Sequence, residues 1–325
     1  MRIERVVLNA AIACSFALSS VTAMAQAPSA DSSAAQAASI KPFLGRWDLT
    51  LKAPDREFPS WIEIQRQNGQ LSARFVSRWG NARPLPKIEI SGTHISFVSP
   101  KEEEDRKEDM VFEGTLNGKT LSGTTTGQDG TPWTWTGVRA PALEGTRTPK
   151  WEKPIQLFNG KDLTGWRMSG PGPEWTVRDG TLVSPGNGPE IINEIGVRDF
   201  KLHIEFNCGK NSNSGVYLRG RYEVQIETES EPEPPSHHTG GVYGVIAPSP
   251  ELPRQADVWQ TFDITMIGRW VTVVQNGKTI IDRQEIPGIT GGALNSREGL
   301  AGPIYLQGSE KGHVAFRNIV LTPGV

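Results

Sequence analysis

The sequence predicts an all-β protein, in which a small antiparallel, barrel-like domain precedes a β-sandwich or jelly roll. Three observations support this fold class. The 325 residues include 35 Gly, 24 Pro and 10 Trp, a composition typical of loop-rich β-proteins rather than helical ones. Short segments of alternating apolar and polar residues recur, and Asn-Gly or Asp-Gly pairs separate several of them. The larger second domain contains no ten-residue window with helical periodicity.

Length and charge limit the classes of protein to consider. A chain of 325 residues is long enough for two domains that each bury a core. Its 34 basic and 36 acidic residues nearly balance, so we expect no nucleic-acid partner and no attraction to anionic membranes. No window approaches the length of apolar chain that spans a bilayer, so we expect no membrane span.

The N-terminus has the features of a secretory signal peptide over residues 1–25. Arg2 and Arg5 form a basic start, residues 6–19 form a short apolar run, and a small-residue cleavage motif ends at Ala25. We therefore expect a periplasmic or secreted protein after cleavage near Ala25.

Changes in composition predict the domain boundaries. Residues 26–40 are rich in Ala, Ser and Gln and predict a disordered leader. The small antiparallel β-domain is expected over 41–140, followed by a Pro-containing linker over 141–154. The β-sandwich domain then occupies 155–325.

Strands are predicted wherever apolar and polar residues alternate. After a start near residue 43, the first domain has predicted strands at 62–65, 71–77, 88–90, 95–98, 110–116, 120–126 and 133–139. Those of the second domain are 175–177, 181–183, 200–206, 215–219, 222–227, 259–266, 270–275, 280–283, 304–307 and 314–321. Tight hairpin turns are predicted at Asn68-Gly69, Asn117-Gly118, Asp129-Gly130, Asp179-Gly180 and Asn276-Gly277.

Two neighbouring strands near the middle of the second domain concentrate polar groups on one sheet face. Alternation turns Tyr217 and Arg219 away from the core on the first strand. On the second, Glu223, Gln225 and Glu227 share the opposite face from the core. Solvated strand faces more often carry Lys, Thr and Ser, so this face is where we expect the chemistry.

Several short motifs of the second domain follow one another in a specific order. They are Leu157–Trp166, Asn213–Arg219, Tyr222–Ile226, Gly240–Tyr243, Trp259–Thr261, Asn276–Gly277, Ile304–Gln307 and Phe316–Ile319. In order and spacing they resemble the 3-keto-disaccharide hydrolase domain family over residues 155–325. The resemblance implies a concanavalin-like jelly roll and an enzyme that cleaves small carbohydrates oxidised at C3 of a sugar ring.

The implied chemistry assigns roles to residues of the polar face. A ketone at C3 acidifies the proton on C2, so a base can remove it, the C1 oxygen can leave, and water can add to the enone. Under this hypothesis Glu223 is the base, Arg219 or Gln225 contacts the enolate or a hydroxyl, and His238 is the acid. No cofactor is indicated with certainty, and a divalent metal bound by His238 and Glu227 is the one candidate.

Further residues are expected to contact the sugar. They are Asn213, Tyr217, Gln225, Glu227, Tyr243, Trp259 and Gln307, the last of which shares a polar strand face with Tyr305. Structural alternatives stand beside these roles. The three acid and amide groups of the second strand can form a merely solvated face, Arg219 can be a structural ion-pair partner, His238 can be one of an exposed loop pair, and Trp259 can be core.

Strand geometry separates the candidate activities. Glu223 and Glu227 are about 13 Å apart along an extended strand. Retaining glycosidases need carboxyls about 5–5.5 Å apart and inverting ones about 6.5–9.5 Å, so this pair alone favours elimination. A conventional glycosidase would require a second carboxylate within about 10 Å of Glu223. The rival class is a non-catalytic carbohydrate-binding or scaffold protein, favoured by Gly308 where the family commonly has a histidine.

Overall fold

The structure, a computed structural model, describes residues 38–67, 69–77, 81–101, 106–127, 130–228, 232–309 and 312–325. The predicted signal peptide and the predicted leader up to residue 37 lie outside these ranges, as do Asn68 and Asp129 of two predicted turns. Ile40, at the end of the predicted leader, is buried with 4% of its surface exposed. Among the described residues, no helix has the length and apolar character that a membrane crossing requires.

The described part of residues 41–139 forms one antiparallel sheet after a 3-10 turn at Lys41–Phe43. Its nine strands are β1 (Gly45–Lys52), β2 (Glu57–Gln67), β3 (Gln70–Val76), β4 (Arg83–Pro84), β5 (Lys87–Ser91), β6 (His94–Ser99), β7 (Met110–Asn117), β8 (Thr120–Thr126) and β9 (Pro132–Arg139). The order across the sheet is β4-β3-β2-β1-β9-β8-β7-β6-β5, and β3 contacts β5. The sheet therefore curls into the barrel-like shape that its consecutive hairpins predict.

Aromatic side chains fill the inside of the curled sheet. Phe97 and Phe112 stack with ring centroids 4.6 Å apart, and Trp135 meets their edges at 5.9 and 6.3 Å. Trp47 and Leu49 of β1 are buried in the same core. Burial of such large apolar groups is the main stabilising contribution in a domain of this size.

The described residues after 150 form two further antiparallel sheets that pack face to face. The strands are β10 (Ile155–Gln156), β11 (Trp166–Met168), β12 (Thr176–Arg178), β13 (Thr181–Ser184), β14 (Ile191–Val197), β15 (Asp199–Cys208), β16 (Asn213–Leu218), β17 (Tyr222–Glu227), β18 (Trp259–Ile267), β19 (Trp270–Gln275), β20 (Lys278–Glu285), β21 (Gly302–Leu306) and β22 (Val314–Gly324). One sheet has the order β12-β13-β22-β15-β18-β19-β20, with β10 paired to β22, and the other β11-β14-β21-β16-β17. A 3-10 turn at Pro235–His237 lies in the connection after β17.

The sandwich core lies between these two sheets. On β15, Phe200, Leu202, Ile204 and Phe206 are at most 1% exposed, whereas Lys201 is exposed, as the alternation predicts. The all-β class, with a barrel-like sheet before a sandwich, is confirmed.

Predicted turns are confirmed where the structure describes both residues. Asn117-Gly118 joins β7 to β8, Asp179-Gly180 joins β12 to β13, and Asn276-Gly277 joins β19 to β20. Strand β14 was not predicted, because its apolar residues cluster at the two ends of the strand instead of alternating.

The barrel-like sheet packs directly on the sandwich through β1 and β2. Trp61 Nε1 donates to the carbonyl oxygen of Ile289 at 2.8 Å, and the hydroxyls of Thr50 and Ser296 are 3.0 Å apart. Trp61 is part of the sandwich core rather than the barrel core. The barrel-like sheet and the sandwich thus share a buried junction.

A buried carboxyl pair lies at this junction. Asp48 on β1 is 5% exposed and Glu298 is 1% exposed, and a hydrogen bond joins their side chains. Burial, followed by repulsion from Glu298, raises the pKa of Asp48 from 3.8 to about 9. Asp48 therefore keeps its proton at neutral pH and donates it to Glu298.

Stability should fall as the pH rises from about 4 to about 9, because unfolding releases the proton that Asp48 holds. The folded pKa is the higher one, so the contribution is complete below the unfolded pKa and is lost as pH rises through the folded pKa. Within this window one proton changes the free energy of unfolding by about 1.4 kcal/mol per pH unit. Asp48→Asn, whose amide can still donate to Glu298, should flatten the profile in urea titrations. An unchanged slope in the variant would contradict the shared proton.

Candidate active site

The candidate site lies on the polar face of the five-stranded sheet. Tyr217 on β16 is paired with Tyr305 on β21 and with Glu223 on β17, so the three side chains form one row across the sheet. Gln225 and Gln307 belong to the next row on the same face, because side chains two residues apart along a strand point the same way. Backbone pairing alone therefore brings five polar side chains together.

These side chains surround a cavity of about 260 Å³, a volume suited to a single sugar ring. Its lining combines two carboxylates, three phenols and three amides with exposed backbone. The lining residues are Glu190, Asn213, Tyr217, Glu223, Gln225, Tyr243, Gly291, Gly292, Tyr305 and Gln307.

Two chain segments close the cavity above the sheet, and we call them the 236–246 segment and the 286–298 segment. The first pairs with the free edge of β17, where Tyr243 N donates to Glu223 O at 3.0 Å. The second reaches the same residue, because Glu223 N donates to Thr290 Oγ1 at 3.0 Å. The cavity therefore lies between the polar sheet face and these two segments.

Burial decides between two interpretations of the polar strand face. Glu223, Gln225 and Glu227 are 3%, 2% and 3% exposed. A merely solvated strand face is therefore wrong. Burying three such side chains costs free energy unless each of them has hydrogen-bond partners.

Hydrogen-bond donors reach both oxygens of the Glu223 carboxylate. Tyr217 Oη donates to Oε2 at 2.8 Å, and the side-chain amide of Gln225 lies 3.2 Å from Oε1. The carboxylate lies directly against Gly215, where any Cβ would be 2.1 Å from Oε1. A carboxylate fixed in this way and facing a cavity can accept a proton from a bound molecule.

Two tyrosines stack at the floor of the cavity. The rings of Tyr217 and Tyr305 are 4.2 Å apart at an angle of 15°. Burial, followed by the Glu223 carboxylate, raises the pKa of Tyr217 well above its usual value of 10. Burial, followed by Glu190, raises the pKa of Tyr305 in the same direction. Both phenols therefore stay protonated at neutral pH and act as hydrogen-bond donors.

Glu190 is a site residue that the sequence analysis missed. It precedes β14, lines the cavity, accepts a hydrogen bond from Ser169 Oγ, and is hydrogen-bonded to Tyr305. A usable signal was present, because a charged residue stands between Pro189 and an apolar pair that begins a strand. The backbone at Gly291 was also missed, although its carbonyl oxygen lies 2.8 Å from Tyr217 Oη and is a second possible acceptor for that hydroxyl.

The structure brings together six of the predicted site residues and places four elsewhere. Those at the cavity are Asn213, Tyr217, Glu223, Gln225, Tyr243 and Gln307. Arg219, Glu227, His238 and Trp259 do not line it.

Arg219 does not continue the polar face of β16, as the alternation predicted. The strand ends at Leu218, and Arg219 adopts a left-handed backbone with φ of 54° in the turn before β17. Its Nη2 donates to Gly268 O at 2.9 Å and to Tyr222 Oη at 3.1 Å. Gly220, which follows in the turn, was the sequence signal that the strand stops here.

The predicted metal ligands do not form a metal site. Glu227 Oε1 accepts from Arg254 Nη1 at 3.0 Å, while His238 Nδ1 lies 2.9 Å from Glu251 Oε1. Each side chain thus faces its own partner. Among the described residues, no group of three His, Cys, Asp or Glu side chains could hold a metal ion.

Trp259 lies in the other sheet of the sandwich. It begins β18, and the guanidinium of Arg317 lies 4.0 Å from its ring centroid. The ring is neither part of the sandwich core nor a wall of the cavity. It makes a cation–π contact on the outside of the sandwich.

Comparison with known proteins places the sandwich in a family. The sequence profile of the 3-keto-alpha-glucoside-1,2-lyase-like domain matches residues 153–322, just over half of the chain. This chain belongs to that family. The matched region contains every residue that lines the cavity, so the cavity belongs to the lyase-like domain, and β1–β9 precede that domain.

Individual relatives match over shorter regions or with lower similarity. A 3-keto-disaccharide hydrolase from Bacteroides thetaiotaomicron is 29% identical over 75 residues, which are 19% of this chain and 26% of the relative. The chain thus spans about a quarter of the length of that relative.

Two crystal structures from Parabacteroides distasonis, both provisionally described as glycosyl hydrolases, align with part of the chain. One is 31% identical and covers 52% of this chain and 82% of its own, with a TM-score of 0.46. The other is 22% identical and covers 53% and 100%, with a TM-score of 0.42.

Proposed function

We propose that this protein cleaves the glycosidic bond of 3-keto glycosides, with the cavity of the lyase-like domain as its active site. The observation that carries the proposal is the Glu223 carboxylate, which faces a cavity of sugar size and is fixed by Tyr217 and Gln225. The family description supplies the substrate class.

The reaction begins with removal of the C2 proton by Glu223. The C2–H electrons form the enolate whose negative charge lies on the C3 oxygen. The enolate then reforms the C3 carbonyl as the C1–O bond breaks, which leaves a double bond between C1 and C2, and the departing oxygen takes a proton. Addition of water across this double bond returns a 3-keto sugar with a free C1 hydroxyl, so the sum of the steps is hydrolysis.

Neutral donors in the cavity suit this chemistry. Tyr217 and Tyr305 keep their protons at neutral pH and donate them to Glu223 and Glu190. Once Glu223 has taken the C2 proton, the Tyr217 hydroxyl can turn to the negative charge that develops on oxygen. Glu190, which accepts hydrogen bonds from Ser169 and Tyr305, is the second carboxylate of the cavity, and the proton that Glu223 takes from C2 is the one available to the leaving oxygen. Asn213 and Gln307 provide amides for the sugar hydroxyls. In this proposal Arg219 and His238 have no chemical role.

A conventional inverting glycosidase is the second candidate, and the position of Glu190 favours it. Glu190 and Glu223 stand at opposite ends of the stacked tyrosine pair, each hydrogen-bonded to one phenol. Laid end to end, two hydrogen bonds and one ring stack span roughly 10 Å, which is an upper limit for the separation of the two carboxylates. This is close to the separation of about 6.5–9.5 Å in inverting enzymes, which act on sugars without a keto group.

A 3-keto-trehalose carrying deuterium at C2 should react several-fold more slowly than the undeuterated compound, because elimination breaks the C2–H bond. Unoxidised trehalose, which lacks the acidic C2 proton, should not react. Equal rates for the two isotopologues together with cleavage of trehalose would contradict elimination and support the inverting glycosidase. Calorimetric binding without cleavage of either sugar would instead indicate a non-catalytic carbohydrate-binding protein.

The proposal includes export from the cytoplasm. It rests on the basic start, the apolar run and the cleavage motif of residues 1–25. Mass spectrometry of cell fractions should find a mature chain that begins near Gln26 outside the cytoplasm. A chain that retains Met1 in the cytoplasmic fraction would contradict it.

A further inference from the structure

The two segments that close the cavity also carry backbone and ring groups of the site. In the 286–298 segment, Thr290 Oγ1 accepts from Glu223 N, and Gly291 O lies 2.8 Å from Tyr217 Oη. In the 236–246 segment, Tyr243 contributes a wall of the cavity. The geometry of the site therefore depends on where these two segments lie.

The barrel-like sheet contacts the 286–298 segment next to the groups that touch the site. Trp61 on β2 is 1% exposed, and its Nε1 donates to Ile289 O at 2.8 Å, one residue before Thr290. Its ring lies directly against Gly288, where any Cβ would be 2.6 Å from the ring atoms. Arg46 Nη1 donates to Pro287 O on the same side.

A second contact, from the connection between β3 and β4, reaches the 236–246 segment. His237 Nε2 is 2.6 Å from Asn81 Oδ1, and its Nδ1 is 2.8 Å from Glu233 Oε2. The His237 ring stacks on Tyr243 with centroids 4.2 Å apart and an angle of 21°. Asn81 also packs against Gly244, where a Cβ would be 2.2 Å from its Oδ1.

We propose that the barrel-like sheet is a positioning element for the active site, with Trp61 and Asn81 holding the two closing segments in place. This inference rests on the proposed function for its catalytic consequence. Trp61 acts on Tyr217 and Glu223 through the 286–298 segment, and Asn81 acts on Tyr243 through His237. Neither residue touches the substrate, so both are positioning residues.

The connection is short on both sides. Trp61 is hydrogen-bonded to Ile289, and the next two residues contact the site. Thr290 Oγ1 accepts from Glu223 N, and Gly291 O lies next to Tyr217 Oη. From Asn81, one hydrogen bond leads to His237, whose ring lies on Tyr243. A displacement of either segment therefore changes the alignment of the groups around the cavity, and small misalignments of reacting groups cost large factors in rate.

Trp61→Phe is the first test, because it removes the indole N–H while keeping an aromatic ring. We expect amide hydrogen exchange in the 286–298 segment and at Glu223 to accelerate at least about tenfold. With 3-keto-trehalose, kcat should fall by roughly 10–10²-fold, with a smaller change in KM, because alignment rather than binding is lost.

Trp47→Phe is the matched control. Trp47 on β1 is equally buried, and its Nε1 donates to Phe43 O at 2.8 Å inside the barrel core. This variant should lose a similar amount of stability without faster exchange in the 286–298 segment. The proposal is overturned if Trp61→Phe exchanges like the wild type there, or if both variants change that segment equally.

Asn81 is tested with a pair of variants. Asn81→Ala removes the acceptor for His237, whereas Asn81→Asp keeps an oxygen at the same place. We expect faster exchange around Tyr243 and weaker turnover in the alanine variant, and recovery of both in the aspartate variant. Equal behaviour of the two variants would contradict positioning through His237.

Hydrogen exchange tests the positioning role of the barrel-like sheet, and turnover tests the proposed reaction. Each proposal can therefore be refuted without the other. If the wild type does not cleave 3-keto-trehalose, the assigned reaction is wrong. The exchange comparison between Trp61→Phe and Trp47→Phe still decides whether the barrel-like sheet holds the closing segments.

Discussion

Glu223→Gln should lower kcat/KM for a 3-keto glycoside by about 10²–10⁴-fold, the usual contribution of a positioned general base. Glutamine matches glutamate in size, and its carbonyl oxygen can accept the hydrogen bond from Tyr217 Oη. It cannot take a proton from C2. The fold and the sugar contacts should therefore survive while proton abstraction is lost, and steady-state kinetics with 3-keto-trehalose measures the effect.

Glu205→Gln provides the control for this substitution. Glu205 lies on β15 in the other sheet, where it accepts hydrogen bonds from Arg317 and Asn318 at the surface. Its kcat/KM should equal that of the wild type. If Glu223→Gln raised KM and left kcat unchanged, Glu223 would be a binding residue rather than the base, and full activity would remove it from the site.

Glu298→Ala should reduce the free energy of unfolding by about 3–5 kcal/mol, because it removes the buried counter-charge of Arg269 and leaves only the half-exposed Glu285 at 3.6 Å. Glu298 Oε2 lies 3.1 Å from Arg269 Nη1, and its Oε1 accepts from Tyr222 Oη at 2.5 Å. The side chains of Glu298 and Arg269 are 1% and 3% exposed. Asp48 loses the acceptor for its proton in the same variant. Urea unfolding at constant pH measures the loss.

Glu285→Ala is the matched control for Glu298→Ala. Glu285 lies 3.6 Å from the same Arg269 and 3.2 Å from Arg46, and 43% of its side chain is exposed. Solvent screens such pairs, so the loss should be at most about 1 kcal/mol. Similar losses for the two variants would mean that burial of the Glu298 pair contributes nothing special to the junction.

Alternation predicted most of the sheet that carries the site. On β17, Val224 and Ile226 are buried in the core, and Glu223 and Gln225 face the cavity, as the period of two requires. The same rule failed at Arg219, because alternation holds only while the chain stays extended, and the strand ends one residue earlier.

The rest of the site comes from parts of the chain that are distant in sequence. Glu190 meets Tyr305 only because β14 pairs with β21, a register that local patterns do not encode. The 286–298 segment has no strand or helix periodicity, and its place over Glu223 depends on contacts with both the sandwich and Trp61. The partners of His238 and Glu227 likewise depend on the tertiary structure, which places His238 beside Glu251 and Glu227 beside Arg254.

The lack of a side chain at Gly215 offers a way to capture the reaction before it starts. A methyl group there would lie 2.1 Å from Glu223 Oε1 and 2.7 Å from its Cγ, so the carboxylate would be pushed aside. Under the proposed function, Gly215→Ala would therefore displace the base and stop the reaction, while every phenol, amide and acid of the cavity remained in the chain. This variant is the one to crystallise with an intact 3-keto glycoside, because the bound substrate would not be cleaved during crystallisation.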